Sequence, residues 1–179
     1  MILRAAGPGD AEALATLGHD SFVAAFGHLY APEDLAAFVE QAYSPAAIAD
    51  ELADPALDHR LAHDADGTLA GFCKVRFPSG YAEHSDAVRP LALQQLYTLP
   101  GRTGEGIGAA LMEWVLAEAA RREADAVQLS VWSENLGAQR FYARYGFAKI
   151  ADIDFMVGSH RDDEFLLELR LPLARGGKS

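Results

Sequence analysis

The chain contains very little of what several classes of protein depend on. Its 179 residues include a single cysteine, Cys73, which excludes an internal disulfide and a CxxC metal site. No apolar run approaches the roughly 18 residues that a membrane-spanning helix needs. The opening residues, MILRAAGPGD, lack the apolar core of a signal peptide. We therefore expect a cytoplasmic protein without a membrane partner.

Basic residues are also scarce. The 15 lysines and arginines are outnumbered by 26 aspartates and glutamates, which gives a formal net charge of −11 at pH 7. Nucleic acid is not an expected partner, because phosphate binding needs a basic patch. An acidic surface is compatible with a cationic substrate, although acidity also serves solubility alone. The six histidines show no HxxxH pair, so we expect no metal site.

What the chain does contain is enough apolar sequence for one ordinary domain, since half of its residues are hydrophobic. We predict a single domain over residues 1–171 and a loose tail over 172–179. Apolar periodicity and turn residues predict strands at 1–5, 58–65, 68–77, 91–98, 126–131, 148–155 and 164–171, and helices at about 10–27, 33–42, 45–52, 107–122 and 137–145. This order favours an α/β (α+β) fold with a central, mostly antiparallel sheet flanked by helices and one parallel junction.

The other predicted elements can be placed around one segment, Leu96–Leu111. It reads as the end of a strand, a glycine-rich loop and the first turns of a long helix. Glycines allow close approach of the backbone to a ligand, and the first amides of a helix have no intrahelical partner. Together with the helix dipole, such amides form an anion site. The same residues are also compatible with a plain turn and helix start.

Three phosphate-binding designs compete for this loop. A nucleoside triphosphate loop requires a lysine after the last glycine, and here none follows. A dinucleotide fingerprint fits Gly104, Gly106 and Ala109, with Asp125 about 20 residues further on. Asp125, however, precedes the next strand instead of ending it. The third design is the pyrophosphate loop of acetyl-CoA-binding proteins, which needs support from elsewhere in the sequence.

Two downstream residues give that support. Asn135 follows the strand predicted to lie beside the strand of the glycine loop, although helix capping alone explains an asparagine there. Tyr142 lies on the next helix. A phenol with a pKa near 10 is protonated at neutral pH and is able to donate a proton to a departing thiolate.

These motifs resemble the GNAT superfamily of acetyl-CoA-dependent N-acetyltransferases. The similarity extends over residues 91–171. It is carried by Leu96-Tyr97-Thr98, Gly104-x-Gly106-Ile107-Gly108 and Asn135…Ala138…Phe141-Tyr142…Gly146-Phe147. The resemblance implies the GNAT fold, acetyl-CoA as co-substrate, and direct attack by an amine within a ternary complex.

The resemblance also implies roles for individual residues. The backbone of residues 96–98, on a strand splayed by a bulge, would hold the pantetheine arm and polarise the thioester carbonyl. Amides of residues 104–109 would bind the pyrophosphate, Asn135 the cofactor arm, and Tyr142 would protonate the leaving sulfur. The expected cofactor-binding residues are Leu96, Tyr97, Thr98, Arg102, Thr103, Gly104, Gly106, Ile107, Gly108, Ala109, Asn135 and Tyr142.

The sequence departs from the family pattern at two points. Thr103 occupies a position that usually carries arginine or glutamine, with Arg102 one residue early, so either Arg102 substitutes or backbone contacts hold the pyrophosphate alone. The strand before the loop carries no glutamate, so the general base would come from Glu83, His84, His28 or a water chain. An acyl-enzyme on Cys73 is not expected, because nothing nearby in sequence activates this thiol.

The ends of the chain are similar to PaiA-like bacterial acetyltransferases, whose substrates include spermidine and other polyamines. The matching residues are Ser21-Phe22…Phe26-Gly27-His28-Leu29-Tyr30, Phe155-x-x-Gly158 and the strand from Asp163 to Leu169. We therefore expect a small primary amine as acceptor, with a polyamine as one candidate. The alternatives are acetylation of a peptide or protein amine and a non-catalytic acetyl-CoA sensor. The oligomeric state is open, with a homodimer among the options.

Overall fold

A computed structural model describes residues 1–172 and places helices on both faces of a seven-stranded sheet. The predicted tail lies outside the described residues from position 173 onward. The strands are β1 (Ile2–Ala5), β2 (Leu57–His63), β3 (Leu69–Arg76), β4 (Pro90–Thr98), β5 (Ala126–Trp132), β6 (Ala148–Val157) and β7 (His160–Arg170). The helices are α1 (Ala11–Phe26), α2 (Pro32–Tyr43), α3 (Pro45–Ala53), α4 (Ile107–Arg121) and α5 (Leu136–Ala143).

The strand order is β1-β2-β3-β4-β5-β7-β6. Each neighbouring pair is antiparallel except β4 and β5, which run parallel with α4 as their crossover. This confirms the predicted mixed, mostly antiparallel sheet with one parallel junction around the glycine helix.

Turn chemistry explains several helix boundaries. The Ser44 hydroxyl accepts a hydrogen bond from the amide of Ala47 at 3.2 Å, and Pro45 occupies the first turn of α3. Asp10 lies at the start of α1, but its side chain does not cap the helix. Its carboxylate instead accepts from the Gly7 amide at 2.7 Å and from Arg4 at 2.6 Å, and the Arg4 hydrogen bond lowers the pKa of Asp10 to about 2.

The last strand begins earlier than predicted, at His160 instead of position 164. Its first residues are polar and lie before the predicted strand. They pair with β6 from Val157–His160 onward, so the two strands form one long hairpin. The earlier start places Asp162 and Glu164 within a strand and on the same face of the sheet, because side chains alternate along a strand.

Each face of the sheet carries its own apolar core. Leu111, Met112 and Val115 of α4 are fully buried against the face that includes Leu91 and Val127. Helices α1, α2 and α3 pack on the opposite face around residues such as Leu14 and Phe22. Within the described chain, none of the helices combines the length and apolarity that crossing a membrane requires.

Candidate active site

The central strands β4 and β5 diverge and open a cleft between them. They pair only from Pro90–Ala126 to Ala92–Gln128. On its other side β4 pairs with β3, where the register shifts so that Gln94 has no partner residue, which is a β-bulge. Past Ala92 the edge of β4 that faces β5 has no strand partner. A cavity of about 360 Å³ fills the gap.

Some of the residues predicted to bind acetyl-CoA line this cleft, and the others lie at its mouth. Leu96, Tyr97, Asn135 and Tyr142 line the cleft together, and their predicted roles in cofactor binding stay predictions. Thr98 lies at the end of β4, and its carbonyl accepts a hydrogen bond from the Ser21 hydroxyl at 3.4 Å. The glycine loop and the start of α4 follow directly, outside the cleft lining.

The glycine loop leaves a row of amides without partners. Gly104 and Gly106 have φ angles of +91° and +82°, a left-handed conformation that favours glycine. No heavy atom lies within 4 Å of where a side chain would begin at either residue, so the space above the loop is open. Within residues 1–172, no backbone carbonyl accepts from the amides of residues 103–109. This geometry provides an anion site at the N-terminus of α4.

Arg102 lies at this loop, but two carboxylates hold its guanidinium. Its Nη1 lies 2.5 Å from Asp64 Oδ2, and its Nε lies 2.8 Å from Glu105 Oε2. The exposed Thr103 side chain has no hydrogen bond to other described residues. Any contact between Arg102 and a bound phosphate would therefore replace one of these ion pairs, and its predicted binding role stays a prediction.

Asn135 and Tyr142 face the cleft from α5. The Asn135 Oδ1 caps the helix by accepting from the Ala138 amide at 3.1 Å, which leaves its side-chain NH₂ free to donate. The Tyr142 hydroxyl makes no hydrogen bond to other residues of the described chain. Burial raises the pKa of Tyr142 well above its usual value, with the nearby Tyr97 and Cys73 adding to the shift. Tyr142 is therefore a protonated donor facing the cleft.

None of the general-base residues suggested by the sequence lines the cleft. Glu83 is 83% exposed and lies 3.3 Å from His84 on a short surface turn, and His28 is exposed after α1. The water chain, the remaining alternative for the base, stays a prediction. The cleft carboxylates instead come from α3 and β7: Glu51, Asp162 and Glu164.

Glu164 differs from the other two carboxylates because it has no basic partner in the described part of the chain. It lies opposite Trp132 in the β5–β7 pairing. Burial raises the pKa of Glu164, the Ser130 hydroxyl acts in the opposite direction, and the charge of Asp162 raises it further. An unpaired carboxylate with a raised pKa in a cleft has the properties of a general base.

Asp162 is almost fully buried and already has two partners. The Tyr30 hydroxyl donates to Asp162 Oδ2, and His160 Nε2 lies 3.0 Å from Asp162 Oδ1. Burial, followed by this hydrogen bond, raises the pKa of Tyr30. These contacts connect the segment after α1 to the start of β7 and close one end of the cleft.

Glu51 at the other end is paired as well. Lys74 Nζ lies 2.7 Å from Glu51 Oε1, and His59 Nε2 lies 3.3 Å from Glu51 Oε2. Burial alone would raise the pKa of Glu51, but the hydrogen bonds from His59 and Lys74 and the Lys74 charge outweigh it and lower the pKa. Lys74 is the one lysine among the residues that line the cleft.

Aromatic side chains form the remaining surface beside these carboxylates. Phe22 stacks on Tyr30 with a centroid distance of 5.9 Å and packs on Phe38 at 4.7 Å. Edge-on contacts continue the surface across the cleft, from Phe26 to Trp132 at 6.1 Å and from Phe38 to Phe155 at 5.6 Å. We refer to this set as the aromatic wall: Phe22, Phe26, Tyr30, Phe38, Trp132 and Phe155.

Comparison with known proteins identifies the class to which this cleft belongs. The family model described as "Acetyltransferase (GNAT) family" matches residues 22–147. An uncharacterized N-acetyltransferase of Mycobacterium tuberculosis is 36% identical over 158 residues, covering 88% of this chain and 96% of that protein. The streptothricin acetyltransferase of Streptomyces lavendulae is 32% identical over 113 residues, covering 63% of this chain and 56% of that protein.

A solved structure agrees at the level of the fold. The PaiA N-acetyltransferase of Thermoplasma acidophilum, determined in complex with coenzyme A, superposes with a TM-score of 0.76 over 95% of this chain and 98% of that chain, at 22% identity. The chain belongs to the acetyltransferase (GNAT) family and is by class an N-acetyltransferase. The family resemblance predicted from the sequence is confirmed.

Proposed function

We propose that this protein transfers the acetyl group of acetyl-CoA to the primary amine of a small cationic molecule, by direct attack within a ternary complex. The observation that carries the proposal is the placement of an unpaired carboxylate, Glu164, in the same cleft as a protonated phenol, Tyr142. Acyl transfer to an amine needs a group that removes a proton from the nucleophile and another that protonates the leaving thiolate.

The donor side of the cleft fits acetyl-CoA. The open amides of residues 103–109 suit the pyrophosphate, and the unpaired edge of β4 offers backbone groups to an extended arm. The side-chain NH₂ of Asn135 is available to a carbonyl on that arm. Acetyl-CoA, held in this way, supplies the acetyl group as a thioester.

Glu164 and Tyr142 then carry out the two proton transfers of the reaction. Glu164 accepts a proton from the incoming ammonium, and its raised pKa makes it a better base than an ordinary glutamate. Tyr142 donates its hydroxyl proton to the departing sulfur. Because the acetyl group passes directly to the amine nitrogen, Cys73 has no role, and its burial raises the pKa of the Cys73 thiol to about 12.

The acceptor side favours a small molecule over a peptide or protein. The cavity of about 360 Å³ lies at the small end of ordinary ligand sites. Contacts between residues 22–43 and the β6–β7 hairpin border it, including the Tyr30–Asp162 hydrogen bond and the Phe38–Phe155 contact. Cationic amines suit the carboxylates, and the similarity to PaiA makes a polyamine one candidate. An acetyl-CoA sensor is disfavoured because it would not need Glu164.

Thiol release from acetyl-CoA, measured with a panel of amines and peptides, tests the proposal. The panel contains an alkylamine, an arylalkylamine, a diamine, spermidine and a lysine-containing peptide. We expect protein-dependent thiol release with at least one small amine, and an equal amount of acetylated amine by mass spectrometry. Release with the peptide alone would favour the protein acetyltransferase alternative. Binding of acetyl-CoA without release in any reaction would favour the sensor.

A further inference from the structure

The cleft contains three carboxylates, and only one of them is free of a basic partner within the described chain. The number of free carboxylates limits how many ammonium groups of a substrate can be paired. The inference rests on the proposed function. Asp162 is occupied by Tyr30 and His160, and Glu51 by Lys74 and His59. Glu164 alone has no basic partner within residues 1–172. Among these three carboxylates, Glu164 is therefore the one that an ammonium can pair with without displacing Tyr30, His160, Lys74 or His59.

A second positive charge on the substrate would find no free carboxylate. At the α3 end it would approach the ammonium of Lys74, which is 8% exposed and already neutralises Glu51. At the β7 end it would have to displace His160 or the Tyr30 hydroxyl from Asp162. Burial of an ammonium without a carboxylate partner is unfavourable, because the desolvation of the charge is not compensated.

The surface that remains around Glu164 is apolar and aromatic. The aromatic wall spans the cleft from α1 and α2 to β5 and β6. These rings offer a large apolar surface against which the body of a ligand can be buried. An aryl or alkyl body would gain contacts there that a linear chain of amines would not.

From these observations we propose that the preferred acceptor is a monoamine with an apolar or aromatic body, whose single ammonium pairs with Glu164 while its body packs on the aromatic wall. Linear polyamines are then poor acceptors, although they are small and cationic.

The first test compares kcat/KM of the wild-type protein for 2-phenylethylamine, 1,4-diaminobutane and spermidine, with n-butylamine as a monoamine without a ring. We expect 2-phenylethylamine to exceed 1,4-diaminobutane by about tenfold or more, since one or two apolar groups in a pocket give discrimination of this size. The Phe155→Leu variant removes a ring from the wall and is expected to reduce kcat/KM more for 2-phenylethylamine than for n-butylamine.

The second test adds a free carboxylate. Lys74→Met removes the ammonium that pairs with Glu51 and leaves it only the His59 contact, so we expect the ratio of diamine to monoamine kcat/KM to rise several-fold over wild type. Because Lys74 is buried, this variant is checked for folding by circular dichroism. His160→Gln is its companion: the His160 side chain is 42% exposed, and its removal frees one oxygen of Asp162 without emptying the core.

Three outcomes are decisive. A preference for 2-phenylethylamine, with the ratio moving toward the diamine in Lys74→Met or His160→Gln, supports the inference. A wild-type preference for 1,4-diaminobutane or spermidine overturns it and leaves the proposed function intact. The absence of thiol release with every amine, by a protein that binds acetyl-CoA, overturns the proposed function and this inference with it.

Discussion

The two residues that carry the proposed chemistry face the same cleft but have different electrostatic surroundings. Tyr142 is half-buried at the cleft, and burial together with the neighbouring Tyr97 and Cys73 raises its pKa. Glu164 has the Asp162 carboxylate beside it and no basic partner in the described residues. Both environments favour the protonated form of the side chain. The phenol therefore carries its proton when the thiolate departs, and the carboxylate binds its proton more tightly than an ordinary glutamate.

Replacement of Tyr142 tests the proton donor. Tyr142→Phe removes only the hydroxyl, so we expect kcat to fall about 10²-fold or more, the usual scale of general-acid catalysis, while acetyl-CoA still binds. Thiol release and a thermal shift measure the two effects. Tyr145→Phe, on the same segment but outside the cleft lining, is the matched control and should retain its rate. An unchanged rate in Tyr142→Phe would remove this residue from the mechanism.

Replacement of Glu164 tests the base. Glu164→Gln is expected to lower kcat/KM for the amine by about 10²-fold or more. Because a base must be deprotonated and its pKa is raised, the wild-type kcat/KM should fall with decreasing pH, starting above the range of an ordinary glutamate. Glu164→Gln should lose this decrease of kcat/KM at low pH. Glu83→Gln, which changes an 83% exposed glutamate outside the cleft lining, should keep both the rate and its decrease at low pH.

The raised pKa of Glu164 also predicts how the free energy of unfolding depends on pH. A carboxyl group whose pKa is raised by folding is destabilising when ionised, so its unfavourable contribution is absent below the unfolded-state pKa and fully present above the folded-state pKa. Glu164→Gln should therefore raise Tm relative to wild type at pH 7 and lose that advantage under acidic conditions. A lower Tm at pH 7 would contradict the assigned direction of the pKa shift.

At the scale of single elements, the loop between β4 and α4 combines an anion site with an acidic neighbourhood. The amides of residues 103–109 are open, yet Glu105 and Asp64 hold Arg102. Both carboxylates lie where a pyrophosphate would bring further negative charge. This geometry favours a phosphate contact through the backbone amides, because the two carboxylates hold Arg102.

Removal of one of these carboxylates should strengthen cofactor binding. In Glu105→Gln, Arg102 loses one partner and local repulsion falls, so we expect acetyl-CoA to bind about two- to fivefold more tightly, the range of an exposed charge pair. Isothermal titration at low and high salt measures the effect, which should shrink as salt rises. Glu113→Gln, nearly two turns into α4, is the control. Weaker binding by Glu105→Gln would contradict this description of the loop.

The elements themselves follow largely from local sequence patterns. The strand, glycine loop and helix of residues 96–111 were recognisable because glycine conformations and helix-start chemistry are encoded locally. Asn135 and Tyr142 were recognisable from their spacing behind that motif. The predicted boundaries of β2, β3 and α5 were off by one or two residues, because strand and helix ends depend on their neighbours.

The sequence did not identify Glu164, the proposed base, because its position beside the cleft depends on the order of the strands. Nothing local to Glu164 indicates that β7 returns beside β5 and places Trp132 opposite it. A weak signal was present: Asp162 and Glu164 stand two residues apart at the start of an apolar strand and so share a face. The paired state of Asp162 and Glu51 likewise depends on contacts between segments far apart in the chain.

For the molecule as a whole, occupancy of the donor site should be visible as a gain in stability. A ligand at 100 times its Kd adds about 2.7 kcal/mol to the free energy of unfolding. For a domain of this size that is a Tm shift of roughly 5–10 °C. Acetyl-CoA should produce this shift and NAD should not. A shift with NAD alone would contradict the donor-site assignment.

The central claim is that the cleft between β4 and β5 passes acetyl directly from acetyl-CoA to an amine. Initial rates of thiol release, with acetyl-CoA and the preferred amine both varied, test it most directly. Direct transfer in a ternary complex predicts intersecting double-reciprocal lines, no thiol burst without amine, and the same pattern in Cys73→Ala. Parallel lines, or a stoichiometric thiol burst that Cys73→Ala abolishes, would indicate an acyl-enzyme and contradict the account.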